Sequence, residues 1–186
     1  MMAAAGPRLL AACVLAMLAA PVAAQAPRPS DTDQLLTALK AAPDEQAAAA
    51  MERAIRARWT QAATPAIRLL LARARRSMEA SPGEAVDDFD AALDLDPSLV
   101  EAWRGRAMAR FRGGDADGAV RDLQEAVRRE PRDFAAFQDL SRMAEGRHDW
   151  KGALAAWQRV LEISPRTPGG SARLRDLRRR ALGEEM

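Results

Sequence analysis

The chain has 186 residues, of which 48% are apolar and 29% charged, so it predicts a packed globular body rather than a disordered polar chain. Alanine supplies 43 residues, only 4% are aromatic, and Tyr and Asn are absent, which favours helices over sheets. The net charge of +2 is too balanced for a nucleic-acid coat protein, and one Cys with one His leaves too few groups for a zinc finger or for thiol chemistry.

Residues 1–24 have the order of a secretory signal peptide: one positive charge at Arg8, a 12-residue apolar run and a small-residue stretch. The run is shorter than the roughly 20 residues that span a bilayer. We therefore predict cleavage before Gln25, a periplasmic protein and a flexible lead over residues 25–32. Two alternatives stay open: a retained anchor, and a lipid anchor on Cys13 in a lipobox-like stretch.

Residues 33–64 predict a pair of helices, Asp33–Ala42 and Asp44–Trp59, separated at Pro43. Leucines form an apolar stripe on the first helix, and Met, Ile and Trp form one on the second. We expect this hairpin to cover the open N-terminal side of the helical array that follows.

The following residues repeat with a period of 34. Pro97, Pro131 and Pro165 keep this spacing, and so do small and large apolar residues. Chance matches in an alanine-rich chain would not align proline and large apolar columns together. Residues 65–165 therefore divide into three units, 65–97, 98–131 and 132–165. The small columns are Ala85, Ala119 and Ala153, and Ala92, Ala126 and Val160; the large column is Phe89, Leu123 and Trp157.

These columns resemble the tetratricopeptide repeat (TPR), and the mature chain resembles the short exported TPR proteins of Gram-negative bacteria. The resemblance implies an all-α, right-handed superhelical solenoid of antiparallel helix hairpins, which stack because one hairpin cannot bury its apolar side alone. In the first unit a strict 34-residue step puts Arg73 at a column that needs a small residue. A helix slid by one residue puts Ala74 there instead; both registers stay open, and we prefer the second.

Polar residues at the expected helix starts predict N-caps, which satisfy backbone N–H groups of the first turn. Two of the serines have a Glu three residues later, the pattern of a capping box. The predicted caps are Thr64, Ser81, Ser98, Asp115, Asp133 and Asp149.

Residues 166–186 predict a C-terminal capping helix and tail. The helix, Ser171–Leu182, carries Leu174 and Leu177 on one stripe and ends the array. Its arginines form the one local charge excess, so association with an anionic membrane surface is an alternative function. They are Arg173, Arg175, Arg178, Arg179 and Arg180.

The sequence predicts no catalytic residues, no cofactor and no metal site. His148 is the only histidine, and it falls at the turn of the third unit, where the second unit has Gly114. Histidine tolerates left-handed backbone better than most residues, which suits a turn. Asp87 and Asp88 are neighbours in the sequence and could in principle form a catalytic carboxylate pair, but on the second helix of the unit we expect them to fall mostly on the solvated face. We therefore predict a protein that is not an enzyme.

In TPR proteins the first helix of each unit lines a concave groove, and the resemblance implies a partner-binding set on this face. The set is Arg68, Leu71, Arg75 and Met78; Glu101, Arg104, Met108, Phe111 and Arg112; and Gln138, Arg142 and Glu145. An apolar strip edged by arginines suits a protein or peptide with acidic and apolar residues. The TPR carboxylate clamp requires Asn, which this chain lacks, so chaperone C-termini are not expected partners. The predicted function is a scaffold of the cell envelope, without a nucleic-acid partner.

Overall fold

The computed structural model describes residues 30–61 and 64–183. The predicted signal peptide, Cys13 and residues 25–29 of the predicted lead lie outside these residues, whereas residues 30–32, also assigned to the lead, cap and begin the first helix. Within the described ranges the chain forms nine helices and no strand. They are α1 Asp31–Lys40, α2 Glu45–Gln61, α3 Pro65–Ser77, α4 Pro82–Leu95, α5 Val100–Arg112, α6 Ala116–Arg129, α7 Phe134–Gly146, α8 Trp150–Ile163 and α9 Gly170–Leu182. No helix in this part of the chain combines the length and apolarity needed to cross a membrane.

The central six helices form three antiparallel hairpins, α3–α4, α5–α6 and α7–α8, stacked in chain order. The alanine column Ala85, Ala119 and Ala153 is fully buried, because a methyl side chain lets neighbouring helices approach closely. The large column fills the space between hairpins, and each of its side chains contributes about 1.5–3 kcal/mol by leaving water. The predicted all-α TPR solenoid is confirmed.

The first unit adopts the slid register. Ala74 is fully buried, like Ala107 in the second unit, whereas Arg73 reaches sideways to Asp88 with its Nε 2.8 Å from Oδ1. Arg106 makes the corresponding bond to Asp122 in the second unit, with Nε 2.9 Å from Oδ2. The arginine therefore takes the column before the small residue in both units.

Four of the six predicted caps are confirmed, since the side chains of Thr64, Asp115, Asp133 and Asp149 accept bonds from first-turn N–H groups. Ser81 is the N-cap residue of α4 with Pro82 at N1, as predicted, but its capping box does not form, and the prediction for Ser98 was wrong. The backbone N–H of Ser81 closes a tight turn onto Ser77, and its side chain makes no capping bond. The hydroxyl of Ser98 donates to Asp96 at 2.6 Å, and α5 begins after Leu99 instead.

His148 adopts φ of +58°, and Gly114 adopts +90° at the same place in the preceding unit. The predicted turn is thus confirmed. Among the described residues His148 is the one non-glycine residue with positive φ, and its ring lies against Trp150 with centroids 5.6 Å apart.

The N-terminal hairpin does not lie where the sequence predicted. It packs against α5, α7 and α8 on the concave side of the last units, rather than over α3 at the first unit. Ile55 and Leu39 are fully buried there, in one cluster with Phe134 and Ala135. The reason lies in α7, whose first turn presents Phe134 and Ala135 where α5 presents Val100 and Glu101, so the third unit offers the hairpin an apolar surface at this position.

Polar bonds fix the hairpin in this position. Ser30 and Asp33 form a capping box that starts α1 at Asp31, two residues before the predicted start. Asp33 also accepts from Arg132 at 2.6 Å, and its bonds with Ser30 and Arg132 lower the pKa of Asp33 to about 2. At the other end of the interface, the buried Ser164 hydroxyl donates to Glu52 at 2.9 Å.

Helix α9 caps the C-terminal end as expected. Leu177 is buried against α8, and the Trp157 indole N–H donates to the Gly170 carbonyl at 3.0 Å. Its arginines are mostly engaged: Arg173 pairs with Glu145 and lies over Trp157, while Arg180 pairs with Asp176 and lies over Trp150.

Candidate functional site

The concave face holds a pocket of about 200 Å³ between α3, α5 and α7, open where the N-terminal hairpin does not reach. The fold brings seven of the predicted groove residues together at its walls. They are Arg75, Met78, Glu101, Arg104, Met108, Arg112 and Arg142. Sequence reasoning missed Phe89, Gly105 and Asp139, which also line the pocket. A single glycine inside a predicted helix was the available signal for Gly105: a Cβ there would lie 2.2 Å from the Phe89 ring.

Arg104 is the central charge of this pocket, and its side chain is only 14% exposed. Its guanidinium lies 3.0 Å from Glu101, 3.1 Å from Asp139 and 3.5 Å from Asp133. Burial alone would lower the pKa of Arg104, but the three carboxylates outweigh burial and raise it. Arg104 therefore links α5 to α7 in the wall of the pocket, and its guanidinium N–H groups face carboxylates of the protein itself.

The two carboxylate oxygens of Asp133 make different contacts at the start of α7. One carboxylate oxygen caps the helix, accepting from the N–H of Ala135 at 2.9 Å and of Ala136 at 3.0 Å. The other oxygen faces Arg104 Nε at 3.5 Å, and both atoms are buried with no hydrogen-bond partner in the described structure. Burial raises the pKa of Asp133, and Arg104 opposes the rise. The pair is a buried charge contact whose two partners depend on each other.

The arginines at the rim are held more weakly. Arg75 lies 2.8 Å from Glu101, Arg142 pairs with Asp139, and Arg112 lies 2.8 Å from Glu79. The arginine side of each pair is open to solvent, which screens the contact to about 0–1 kcal/mol, whereas Glu101 and Asp139 are largely buried beside Arg104. The four lining arginines face the lining carboxylates Glu101 and Asp139, and Arg104 and Arg112 also contact Asp133 and Glu79 beside the pocket, so the charges there balance. Because Arg104 keeps Glu101 and Asp139 paired, the exposed guanidinium groups of Arg75 and Arg142 can turn to a ligand carboxylate without leaving a buried charge unpaired.

Five predicted groove residues lie elsewhere. Leu71 is fully buried in the core of the first two units, which corrects its assignment to an open groove. Phe111 packs over Gly146 and does not line the pocket, and Arg68 lies exposed on α3 outside it. Gln138 and Glu145 are bound by other helices of the same chain: Arg56 of α2 donates to Gln138 at 2.8 Å, and Arg173 of α9 pairs with Glu145.

Helix α2 therefore occupies the concave face of the third unit. Trp59 lies 5.7 Å from the ring of Phe134, and the Arg56 guanidinium lies 4.9 Å from the same ring. Only the part of the groove formed by the first two units and Arg142 stays open. The 34-residue period does not predict this closure, since it describes the units and not the helices outside them.

No cluster of three or more His, Cys, Asp or Glu side chains in the described part of the chain is arranged to hold a metal ion. The chemistry available at the pocket is charge pairing and apolar contact, which are the elements of peptide recognition.

The chain is similar to several proteins of known description. It is 31% identical over 134 residues to a TPR repeat-containing protein of Rhizobium etli; the match covers 72% of this chain and 66% of that protein, so the chain spans about two thirds of its length. It is 35% identical over 72 residues to the DnaJ protein P58IPK homolog A of Oryza sativa subsp. japonica, over 36% of this chain and 15% of that protein. The first TPR of Spaghetti (RPAP3), solved with the HSP90 peptide SRMEEVD, superposes with a TM-score of 0.58 at 22% identity, over 66% of this chain and 97% of that chain. No protein-family model matches the chain.

Proposed function

Because the chain belongs to the tetratricopeptide repeat family, we propose that it is a non-catalytic periplasmic scaffold that binds a protein or peptide partner in the open part of its concave groove. The partner carries acidic and apolar residues, and the role is in cell-envelope assembly or maintenance. The observation that carries the proposal is the pocket between α3, α5 and α7, whose exposed rim arginines Arg75 and Arg142 can turn to a ligand while Arg104 keeps the buried carboxylates paired.

Two features of the pocket set the class of ligand. Met78 and Met108 supply an adaptable apolar floor, which accepts side chains of different shape. Arg75 and Arg142 flank it from α3 and α7, with side chains 46% and 59% exposed. Arginine binds carboxylates through two parallel hydrogen bonds, so acidic residues on either side of an apolar residue match this arrangement.

The ligand differs from that of the solved neighbour. The RPAP3 domain was solved with an acidic HSP90 peptide. This chain has no Asn for a carboxylate clamp, and its most central arginine is already engaged by three carboxylates. We therefore propose internal acidic side chains, rather than a free C-terminus, as the groups recognised.

Charge reversal of the rim tests the groove. The double variant Arg75→Glu with Arg142→Glu turns two attractive charges into repulsive ones, and we expect partner recovery to fall about tenfold or more. The measurement is affinity capture from an envelope extract with the immobilised mature protein, quantified by mass spectrometry.

A matched control carries the same charge change outside the pocket, at Arg76→Glu with Arg128→Glu, both exposed. The control should recover partners as the wild type does. Equal recovery by the rim variant and the wild type would remove the groove from the proposal, provided that both variants retain the helical circular dichroism spectrum.

The proposed location has its own test. Expression of the full chain in a Gram-negative host should give a periplasmic protein whose intact mass begins at Gln25, and Cys13→Ser should change nothing. A mass beginning at an acylated Cys13, or at Met1 in the membrane fraction, would replace the cleaved-signal proposal by the lipid anchor or the retained anchor.

A further inference from the structure

A second surface feature lies on the opposite side of the third unit. It is a cleft of about 610 Å³ between α6 and α8, with α7 as its floor, and it shares no lining residue with the concave pocket. Val120, Phe137, Leu140 and Ala144 make its apolar interior. The α8 wall runs from Asp149 to Arg159 through small residues, so the cleft is elongated along that helix.

The cleft exists because the third unit lacks charges that the second unit has in the same columns. In the second unit Arg106 and Arg110 both bind Asp122, with distances of 2.7 Å and 2.8 Å. The residues 34 positions later are Leu140, Ala144 and Ala156.

Charged side chains are also lost around the aromatic residue that the second and third units share at one column, Trp103 and Phe137. Trp103 is covered on two sides, by Arg106 at 4.6 Å and Arg129 at 4.7 Å from its ring centre. The equivalent of Arg129 in the third unit is Ile163, and Phe137 has only Arg159 over its ring, at 5.6 Å. An ion-pair network thus fills this position in one unit, and an open apolar cleft replaces it in the next.

Two arginines mark the ends of the cleft. Arg147 lies beside the N-terminus of α8, and Arg159 lies nine residues beyond Trp150, about 14 Å along the helix axis. Each has one exposed acidic partner, Asp117 for Arg147 and Glu162 for Arg159, so both guanidinium groups are available for exchange. Asp149 at the rim is already engaged, since it caps α8 through the Gly152 N–H.

From this geometry we propose that the cleft is a second docking surface, which takes an amphipathic helix of a partner protein with acidic residues at both ends of its apolar stripe. The length of the cleft and the small residues Gly152, Ala155 and Ala156 on its wall allow a helix backbone to approach closely. The acidic ends follow from charge complementarity with Arg147 and Arg159. The proposal is independent of peptide binding in the concave groove.

The probe is a stapled helical peptide with leucines at i+4 and i+7 between glutamates at i and i+11, which lie about 16 Å apart on one face. Fluorescence anisotropy with the mature protein should show binding at least about tenfold tighter than that of the same peptide with lysines at i and i+11. Leu140→Arg with Ala156→Asp rebuilds the ion pair of the second unit and should abolish the binding. Ala155→Glu, at an exposed rim position, should weaken it about tenfold without touching the core.

Three measurements distinguish binding in the cleft from binding at other surfaces. Arg75→Glu with Arg142→Glu should leave the binding of this peptide unchanged; a loss would place the peptide in the concave groove and overturn the proposal. Equal affinity for the glutamate and lysine peptides would overturn it as well. So would wild-type affinity in both the Leu140→Arg/Ala156→Asp variant and the Ala155→Glu variant, provided that both are folded. Concentration-dependent dimers in analytical ultracentrifugation that disappear in Ala155→Glu would identify a second copy of the chain as the occupant instead.

Discussion

Replacing Arg104 with alanine is expected to lower the free energy of unfolding by about 3–5 kcal/mol, because it leaves buried carboxylates without their counter-charge. Asp133 is fully buried, and Asp139 and Glu101 are largely buried around the same guanidinium. Removing one partner of a buried charge contact costs more than the contact contributes, since the remaining charge keeps its desolvation penalty. Urea denaturation followed by circular dichroism measures the loss.

The loss should depend on pH. Burial already raises the pKa of Asp133, and without Arg104 the pKa rises further. An unfolded Asp releases its proton near pH 4, while the folded variant keeps its proton to higher pH, so the unfolded state binds fewer protons and stability falls as pH rises. The deficit of the variant against the wild type should therefore be smallest near pH 4 and grow towards neutral pH.

Two further variants isolate the cause. Arg75→Ala removes an exposed partner of the same Glu101 and should cost at most about 1 kcal/mol. Adding Asp133→Asn and Asp139→Asn to Arg104→Ala removes the unpaired charges and should recover part of the loss. A cost for Arg104→Ala no larger than that for Arg75→Ala, or a cost unchanged between pH 4 and 7, would contradict the buried charge network.

The repeating part of this fold could be predicted from the sequence because its small and large apolar residues recur every 34 positions. The alanine column through Ala119 and the large column through Leu123 fix which helix face is inside, and the structure buries both. The slid register of α3 was also accessible, since only Ala74 satisfies a column where a larger side chain would collide with the neighbouring helix. Close packing between neighbouring helices determines which residue type fits at each of these columns.

The candidate site was predictable only in part, because helices outside the 34-residue repeats cover part of the predicted groove. Leu71 holds the column that Arg104 holds in the next unit, but an aliphatic side chain there is drawn into the core. Gln138 and Glu145 were assigned to the open groove from the pattern alone, and α2 and α9 engage them. Apolar residues at repeat positions that face the groove, such as Ala135 and the preceding Phe134, were the available sign that the chain covers its own third unit.

Phe134→Ala should therefore have a second effect beyond the loss of core volume. The substitution removes a fully buried ring that contacts Trp59 and Arg56 of α2, and phenylalanine-to-alanine changes in cores cost about 3–5 kcal/mol. Because the ring is a fully buried apolar contact between the array and the N-terminal hairpin, we expect the hairpin to detach while the three units stay stacked. Limited trypsin digestion should then cleave α2 at Arg53, Arg56 or Arg58 well before the repeats.

Phe89→Ala provides the matched comparison, since Phe89 is a buried ring of the same size in the core of the first two units, away from α2. It should lower stability by a similar amount but leave the early cleavage pattern of α2 as in the wild type. Detachment in Phe134→Ala should also free Gln138, since the Arg56 bond is lost with the hairpin. If both variants expose α2 equally, the hairpin unfolds with the repeats as one unit, and Phe134 is an ordinary core residue rather than the contact that holds α2 over the third unit.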